Sequence, residues 1–286
     1  MEVIDLERCR LDARYFMSTS GNFLRQTTDQ PFFILGPCVM ESEDFTWDMA
    51  NRLKALTSEL GVSFVFKASY DKANRSASSS FRGPGIEAGC RLLAAISDEL
   101  EVPVTTDVHT PEEATIAGEW IDLLQIPAFL CRQTELIKAA AETGNVVNVK
   151  KGQFLAPDEM KNIADKLDAY GARHFFFTER GTTFGYHNLV ADMRSLYWMR
   201  EQGHRVIFDA THSVQRPGGL GETSGGDGVL APVLARAAVA VGVDGVFMET
   251  HVTPEKALSD GPNQVPIDEL GSVLQTLTKV HEAAHG

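Results

Sequence analysis

Short apolar runs that end in a charged or polar residue recur along the chain, each followed by a stretch with helical spacing. The runs span residues 32–35, 62–66, 102–106, 121–124, 146–149, 175–177, 206–208 and 245–248. Most lack polar alternation, which is how strands read when a parallel sheet is covered on both faces. Met49, Leu53, Leu56 and Leu60 recur at helical spacing after the first run, as do Leu230, Val233, Leu234, Ala237, Ala238 and Val241 before the last. Gly61, Gly144, Gly171, Gly203 and Gly242 fall where a helix C-cap is expected. Eight buried strands alternating with helices, and no Pro- or Ser-rich linker, predict an α/β fold. A single (β/α)8 TIM barrel over residues 31–286 fits better than a doubly wound open sheet.

Residues 1–30 carry no long helical pattern. Residues 10–18 and 23–28, with Ser20-Gly21-Asn22 between them, predict a hairpin-like extension capping one barrel end. Residues 213–228 are rich in Gly and small polar side chains and predict a long loop after the seventh strand, of the kind that closes over a ligand.

Composition narrows the function. The 286 residues are 43% hydrophobic and 23% charged, with a formal net charge of −13. That is a globular composition, and its negative balance disfavours coating nucleic acid or an anionic membrane. The longest apolar stretch, residues 229–243, is interrupted by Pro232 and Arg236 and is too short to span a bilayer. The N-terminus mixes acids into what a signal peptide keeps basic and apolar. Cys9, Cys38, Cys90 and Cys131 are scattered and form no CxxC pair, which fits a reducing cytoplasm.

In such a barrel the chemistry gathers where strands end. The strand-end residues are Cys38 and Glu41; Lys67, Lys72, Asn74 and Arg75; Asp107 and His109; Gln125 and Arg132; Lys150 and Lys151; Glu179 and Arg180; Asp209, His212 and Arg216; and Glu249, His251 and Asp260. Two populations separate. Lys67, Lys72, Arg75, Lys150, Arg180 and Arg132 would bring together cations that repel unless phosphate or carboxylate ligands sit among them. The competing reading is a set of solvated charges paired with the abundant acids. Cys38, His212, Glu249 and Asp260 come from strand ends that are neighbours in a closed barrel, and they suit a divalent ion such as Zn²⁺, Fe²⁺ or Mn²⁺. Taken alone, Cys38 reads more often as a small buried apolar residue. Asp107 and His109 either hydrogen-bond each other across a turn or orient sugar hydroxyls. Gly83-Pro84-Gly85 and Gly218-Gly219 read as turns, and no Gly-x-Ser-x-Gly elbow exists.

The segments Gly36-Pro37-Cys38-Val39-Met40-Glu41-Ser42, Lys67-Ala68-Ser69-Tyr70-Asp71-Lys72-Ala73-Asn74-Arg75-Ser76 and Thr106-Asp107-Val108-His109 carry a resemblance. So do Gln125-Ile126-Pro127-Ala128-Phe129-Leu130-Cys131-Arg132-Gln133-Thr134, Asn148-Val149-Lys150-Lys151-Gly152-Gln153, Thr178-Glu179-Arg180-Gly181, Asp209-Ala210-Thr211-His212-Ser213-Val214-Gln215 and Met248-Glu249-Thr250-His251. The chain resembles the family that comprises the 3-deoxy-D-manno-octulosonate 8-phosphate (KDO 8-phosphate) synthases and the 3-deoxy-D-arabino-heptulosonate 7-phosphate (DAHP) synthases. Lys72-Ala73-Asn74-Arg75-Ser76 is similar to the octulosonate branch.

The resemblance implies condensation of phosphoenolpyruvate with D-arabinose 5-phosphate, feeding lipopolysaccharide biosynthesis. It implies that Lys150, Arg180 and the Ala128 amide hold the phosphoenolpyruvate phosphate. Lys67, Lys72 and Gln125 would meet its carboxylate region, and Asn74, Arg75 and Ser76 the sugar phosphate. Arg132 would reach that phosphate from a neighbouring subunit of a homotetramer. It implies a divalent metal on Cys38, His212, Glu249 and Asp260, because cysteine at the Cys38 position marks the metal-dependent branch. His212, Asp260, Lys72, Asp107 and Cys38 are the expected catalytic residues. Two positions depart from the pattern: Ala77 stands where a second serine is usual, and Asp260-Gly261-Pro262 resembles the metal-free branch while Gln264 resembles the metal branch. Rival readings are a heptulosonate synthase using erythrose 4-phosphate, a Schiff-base aldolase with Lys67 or Lys150 as nucleophile, and a non-catalytic sugar-phosphate sensor.

Overall fold

The computed structural model describes residues 30–74, 80–218 and 225–285. Eight strands, β1 (Phe32–Gly36), β2 (Phe64–Lys67), β3 (Val104–Asp107), β4 (Leu123–Ile126), β5 (Val146–Lys150), β6 (Phe175–Glu179), β7 (Val206–Asp209) and β8 (Gly245–His251), pair in parallel in chain order. β8 returns to β1, from Phe32 opposite Gly245 to Gly36 opposite Glu249, so the sheet is a closed barrel and the open-sheet alternative falls. Helices α1 (Glu43–Leu60), α2 (Ile86–Leu100), α3 (Pro111–Gly118), α4 (Thr134–Glu142), α5 (Met160–Ala169), α6 (Met193–Glu201), α7 (Ala231–Val241) and α8 (Ile267–His285) alternate with the strands. The predicted hairpin within residues 1–30 lies outside the described residues.

Strand boundaries shift towards the polar ends. β2, β3 and β4 start two residues later than their apolar runs, because lead-in residues close the preceding helix. The Val62 amide donates to Thr57 of α1, and that of Ile121 to Ala117 of α3. At the other end, Lys67, Asp107, Gln125, Lys150, Glu179, Asp209 and Glu249 belong to the strands themselves.

The period of two along each strand decides what the barrel encloses. Phe32, Ile34, Val65, Leu123, Val146, Phe176, Ile207 and Phe247 form one interior cluster, with the Phe32 and Phe176 rings 5.3 Å apart. Two residues further along six of these strands stand Lys67, Gln125, Asn148, Thr178, Asp209 and Glu249, all buried. A polar layer therefore lies directly on the apolar plug. Residues of the opposite parity, such as Leu35, Phe66, Val149 and Met248, join the larger cluster between sheet and helices.

α1 starts at Ser42, whose hydroxyl accepts from the Phe45 amide, and ends at Gly61 in the left-handed region. It buries Met49 and Leu53, with Leu56 and Leu60 partly covered. α7 differs from its predicted face: it buries Ala231, Ala235, Ala238 and Val239, while Leu230 and Val233 are exposed. At Gly36 a Cβ would overlap the Lys67 carbonyl oxygen, so the end of β1 lies directly against β2. The predicted loop after β7 is tied at its base: residues 215–216 pair antiparallel with 225–226, and Arg216 meets Asp227 at 2.8 Å.

Candidate active site at the barrel mouth

Above the polar layer opens a cavity of about 460 Å³, lined by Lys67, Lys72, Lys150 and Arg180 together with Asn74, Asp107, His109, Ala128, His212, Glu249 and Asp260. Its floor is a chain of hydrogen bonds across β3 to β6. Thr178 donates to Asn148 (2.7 Å), Asn148 to Gln125 (2.9 Å), and Gln125 to Asp107, which also accepts from Ser69 at 2.6 Å. Gln125 thus lies beneath the cavity and reaches it through Asp107. Burial alone would raise the Asp107 pKa, but Lys72, Lys67 and Lys150 outweigh it and hold the carboxyl well below the ordinary range.

The four cations differ in how they are satisfied. Lys67 donates to Glu249 (2.6 Å) and to the carbonyls of Cys38 (2.9 Å) and Pro37 (3.3 Å), so all three ammonium protons have partners. Lys150 donates to Asp209 at 2.8 Å and sits 3.7 Å from the Phe247 ring centroid. Arg180 gives Nη2 to Gln215 at 3.0 Å, while its buried Nη1 has no partner among the described residues. Burial lowers its pKa despite nearby acids. Lys72 pairs with no carboxylate among the described residues. Burial would lower its pKa, but the surrounding field, Cys38 and Glu249 foremost, raises it.

The lining carboxylates Asp71, Asp107, Glu249 and Asp260 equal the four cations in number. Among the described residues, the cations gathered at the mouth are therefore matched by acids. Charge is segregated within it: Lys72 and Arg180 line the cavity without a carboxylate partner among the described residues, while Glu249 and Asp260 stand at Cys38.

At that acidic end, Cys38, Glu249 and Asp260 each bring a ligand-type atom within 4.8 Å of the others. His212 Nδ1 lies 2.8 Å from Asp209, and Nε2 faces Glu249 (4.0 Å) and Asp260 (3.8 Å). The Cys38 thiol donates to Ser259 at 3.1 Å. Burial, then the Glu249 charge, pushes its pKa up to about 12. Glu249 is held at about 2, because Lys67, His212 and Lys72 outweigh its burial. Its Oε2 is buried without a partner among the described residues, an arrangement that is costly unless something positive occupies the cluster. A thiol, an imidazole lone pair and two carboxylates, with the imidazole oriented by Asp209, fit a divalent transition metal. Asp260 adopts φ 50°, a left-handed conformation uncommon outside glycine and typical of functional sites.

Other predicted positions lie elsewhere. Arg132 is exposed and faces a separate groove with Glu159, Asn162 and Lys166, outside the mouth of its own chain. Lys151 and Glu179 have the outward parity and meet at 3.6 Å behind the barrel wall. Glu41 lies 3.4 Å from His251 and accepts from the Leu258 amide. Asp107 and His109 do not bond each other; His109 bonds Glu113 at 2.9 Å, and the Tyr70 hydroxyl donates to the same carboxylate oxygen. Arg75 and Ser76 lie outside the described residues. Three buried or bridging groups had no predicted role: Ser69, Asn148 and Gln215. Asn148 carried a signal, as a lone amide inside the run 146–149 with the same parity as Lys150. Cys38, Cys90 and Cys131 are buried and unpaired, in line with the absence of a disulfide framework. No described helix is long and apolar enough to cross a membrane.

Fold and mouth together define a (β/α)8 protein with four cationic side chains lining its C-terminal mouth beside a thiol–imidazole–carboxylate cluster. The sequence comparisons place it more narrowly. The chain belongs to the DAHP synthetase I family, whose model matches residues 17–285. It is 58% identical over 256 residues to the 2-dehydro-3-deoxyphosphooctonate aldolase of Variovorax paradoxus, covering 87% of this chain and 90% of that protein. It is 56% identical over 259 residues to the protein of that name in Methylibium petroleiphilum (88% and 91% covered), and 55% over 258 residues to that of Dechloromonas aromatica (89% and 93%).

Proposed function

We propose that this chain condenses phosphoenolpyruvate with D-arabinose 5-phosphate and water to give 3-deoxy-D-manno-octulosonate 8-phosphate and inorganic phosphate, in lipopolysaccharide biosynthesis in the cytoplasm. The octonate phosphate in its relatives' names is the sugar acid this reaction makes. The observation that carries the reading is the cavity in which Lys72 and the unpartnered Arg180 Nη1 group stand beside Lys150 and Lys67. Lys150, Arg180 and the Ala128 amide bind the phosphoenolpyruvate phosphate. Lys72 meets the carboxylate, and Lys67, engaged with Glu249, contributes charge. Asn74, Arg75 and Ser76 take the sugar phosphate, and Asp107 and His109 orient the sugar hydroxyls.

The enol carbon C3 attacks the sugar aldehyde, forming the new carbon–carbon bond and leaving positive character at C2. Water adds at C2, and cleavage of the C2–O bond releases phosphate. The chain's share is to hold two mutually repelling anions in contact and to neutralise them, which orientation and fixed charge achieve together. Asp260 acts in the proton transfer that accompanies water addition, and His212 relays between the cation site and phosphoenolpyruvate.

Cys38, His212, Glu249 and Asp260 would hold a divalent ion, which would add positive charge for two phosphorylated substrates and accords with the metal-dependent branch. When bound, such an ion offers Lewis-acid chemistry, polarising a carbonyl or lowering the pKa of water. Arg132 supplies more from an adjacent copy. In the homotetramer that the resemblance implies, a neighbouring copy would have exposed apolar surface to cover, Phe129 at 52%, Phe154 at 55% and Phe184 at 71%. The test is phosphate release from phosphoenolpyruvate with arabinose 5-phosphate or erythrose 4-phosphate, with and without chelator. Turnover with the five-carbon sugar, lost in chelator and restored by metal, is the expected result. Borohydride-trappable imine would indicate the aldolase instead.

A further inference from the structure

Gln215 joins the two ends of the mouth. Its amide oxygen accepts from Arg180 Nη2 at 3.0 Å, and its amide nitrogen donates to Asp260 Oδ1 at 3.1 Å. An amide accepts at one end and donates at the other, so the guanidinium fixes which end meets the carboxylate. Released from Arg180, the amide is free to turn its oxygen towards Asp260 and repel it. The backbone of Gln215 is itself held by pairing with Gly226. With Oδ1 occupied, Asp260 directs Oδ2 at His212 and Cys38, each 3.8 Å away. Arg180 also lines the cavity, and its buried Nη1 has no partner among the described residues, so the guanidinium keeps donor capacity beyond the bond it gives Gln215.

We infer that Gln215 is a positioning residue through which an anion on Arg180 strengthens cation binding at Cys38, His212, Glu249 and Asp260. The inference rests on the function proposed above. Anion occupancy immobilises the guanidinium, which orients the amide, which aims Asp260. Reciprocity requires the cation to tighten the anion by the same factor.

The test titrates the full-length protein with Co²⁺, with and without inorganic phosphate, following the cobalt–thiolate absorption. Phosphate is expected to tighten Co²⁺ about fivefold. Gln215→Leu keeps both sites but brings that factor to about one. Gln215→Glu retains an acceptor for Arg180 and sets a second carboxylate against Asp260, so it loses the factor as well, and it carries the test if the leucine variant fails to fold. A factor of one in the wild-type protein, or an unchanged factor in either folded variant, overturns the inference. Phosphate release from both substrates is measured on the same wild-type preparation. Turnover without coupling sinks the relay alone, whereas coupling without turnover sinks the substrate assignment and leaves the relay standing.

Discussion

Replacing Asp209 with asparagine tests the electrostatics of the mouth with almost no change in shape. The carboxylate is fully buried at the end of β7 and accepts from Lys150 Nζ (2.8 Å), the His212 amide (2.9 Å) and His212 Nδ1 (2.8 Å). Asparagine fills the same volume, so no cavity forms, but Lys150 is left without its counter-charge. Removing one partner of a buried pair costs about 3–5 kcal/mol. The Phe247 face under Lys150 offsets part of this, since a desolvated cation–π contact contributes about 2 kcal/mol or more. That contact is already present in the wild-type protein, however, and gains nothing from the substitution. Urea denaturation at pH 7 should therefore show a loss of about 3–5 kcal/mol. The pH dependence has a definite sign. Burial would raise the Asp209 pKa, but His212 and Lys150 outweigh it and hold the carboxyl well below its ordinary value. Its stabilisation is complete above the ordinary value of about 4 and is lost as pH falls below it, so the two proteins should converge in acid. A deficit below about 1 kcal/mol at pH 7, or a gap that stays constant down to pH ~2, refutes the reasoning.

Cys38→Ala should abolish metal binding and most turnover; full activity of that variant in chelator would contradict the metal role, with metal content of the purified protein as a second check. Arg75→Ala should raise KM for the sugar phosphate far more than KM for phosphoenolpyruvate, and an equal effect on both would count against the assignment. Gly36→Ala should cost about 1–3 kcal/mol or more in a denaturant titration, because the added methyl meets the Lys67 carbonyl of β2. Wild-type stability in that variant would mean that β1 and β2 can separate at no expense to Lys67 and Glu249.

The barrel was legible because both of its signatures are local: apolar runs about as long as a strand, and glycines after the helices. All five of those glycines have positive φ. What the runs could not show is parity. Where both faces of a strand are buried, Lys150 and Lys151 look alike, yet one reaches the cavity and the other is sealed behind the wall against Leu155 and Glu179. The face of α7 escaped for a similar reason, since its buried side is largely alanine, to which a hydrophobicity pattern gives little weight. Gln215 ends the segment 209–215, and nothing local in the sequence singles it out. Its importance depends on Arg180 and Asp260 meeting it from elements 35 and 45 residues away, and no spacing rule reports that. The acidic cluster was readable as a set of donor types, while the pairing of Lys67 with Glu249 was not.

Because the polar layer is carried by six of the strands themselves and not by their loops, none of those six can peel from the sheet without removing a member of the constellation. Occupancy of the mouth must consequently protect the entire barrel against opening, from β1 to β8, by mass action on one cooperative unit. Amide protons deep in the sheet, far from any ligand, should then exchange more slowly whenever ligand is present, and the rim segments least of all.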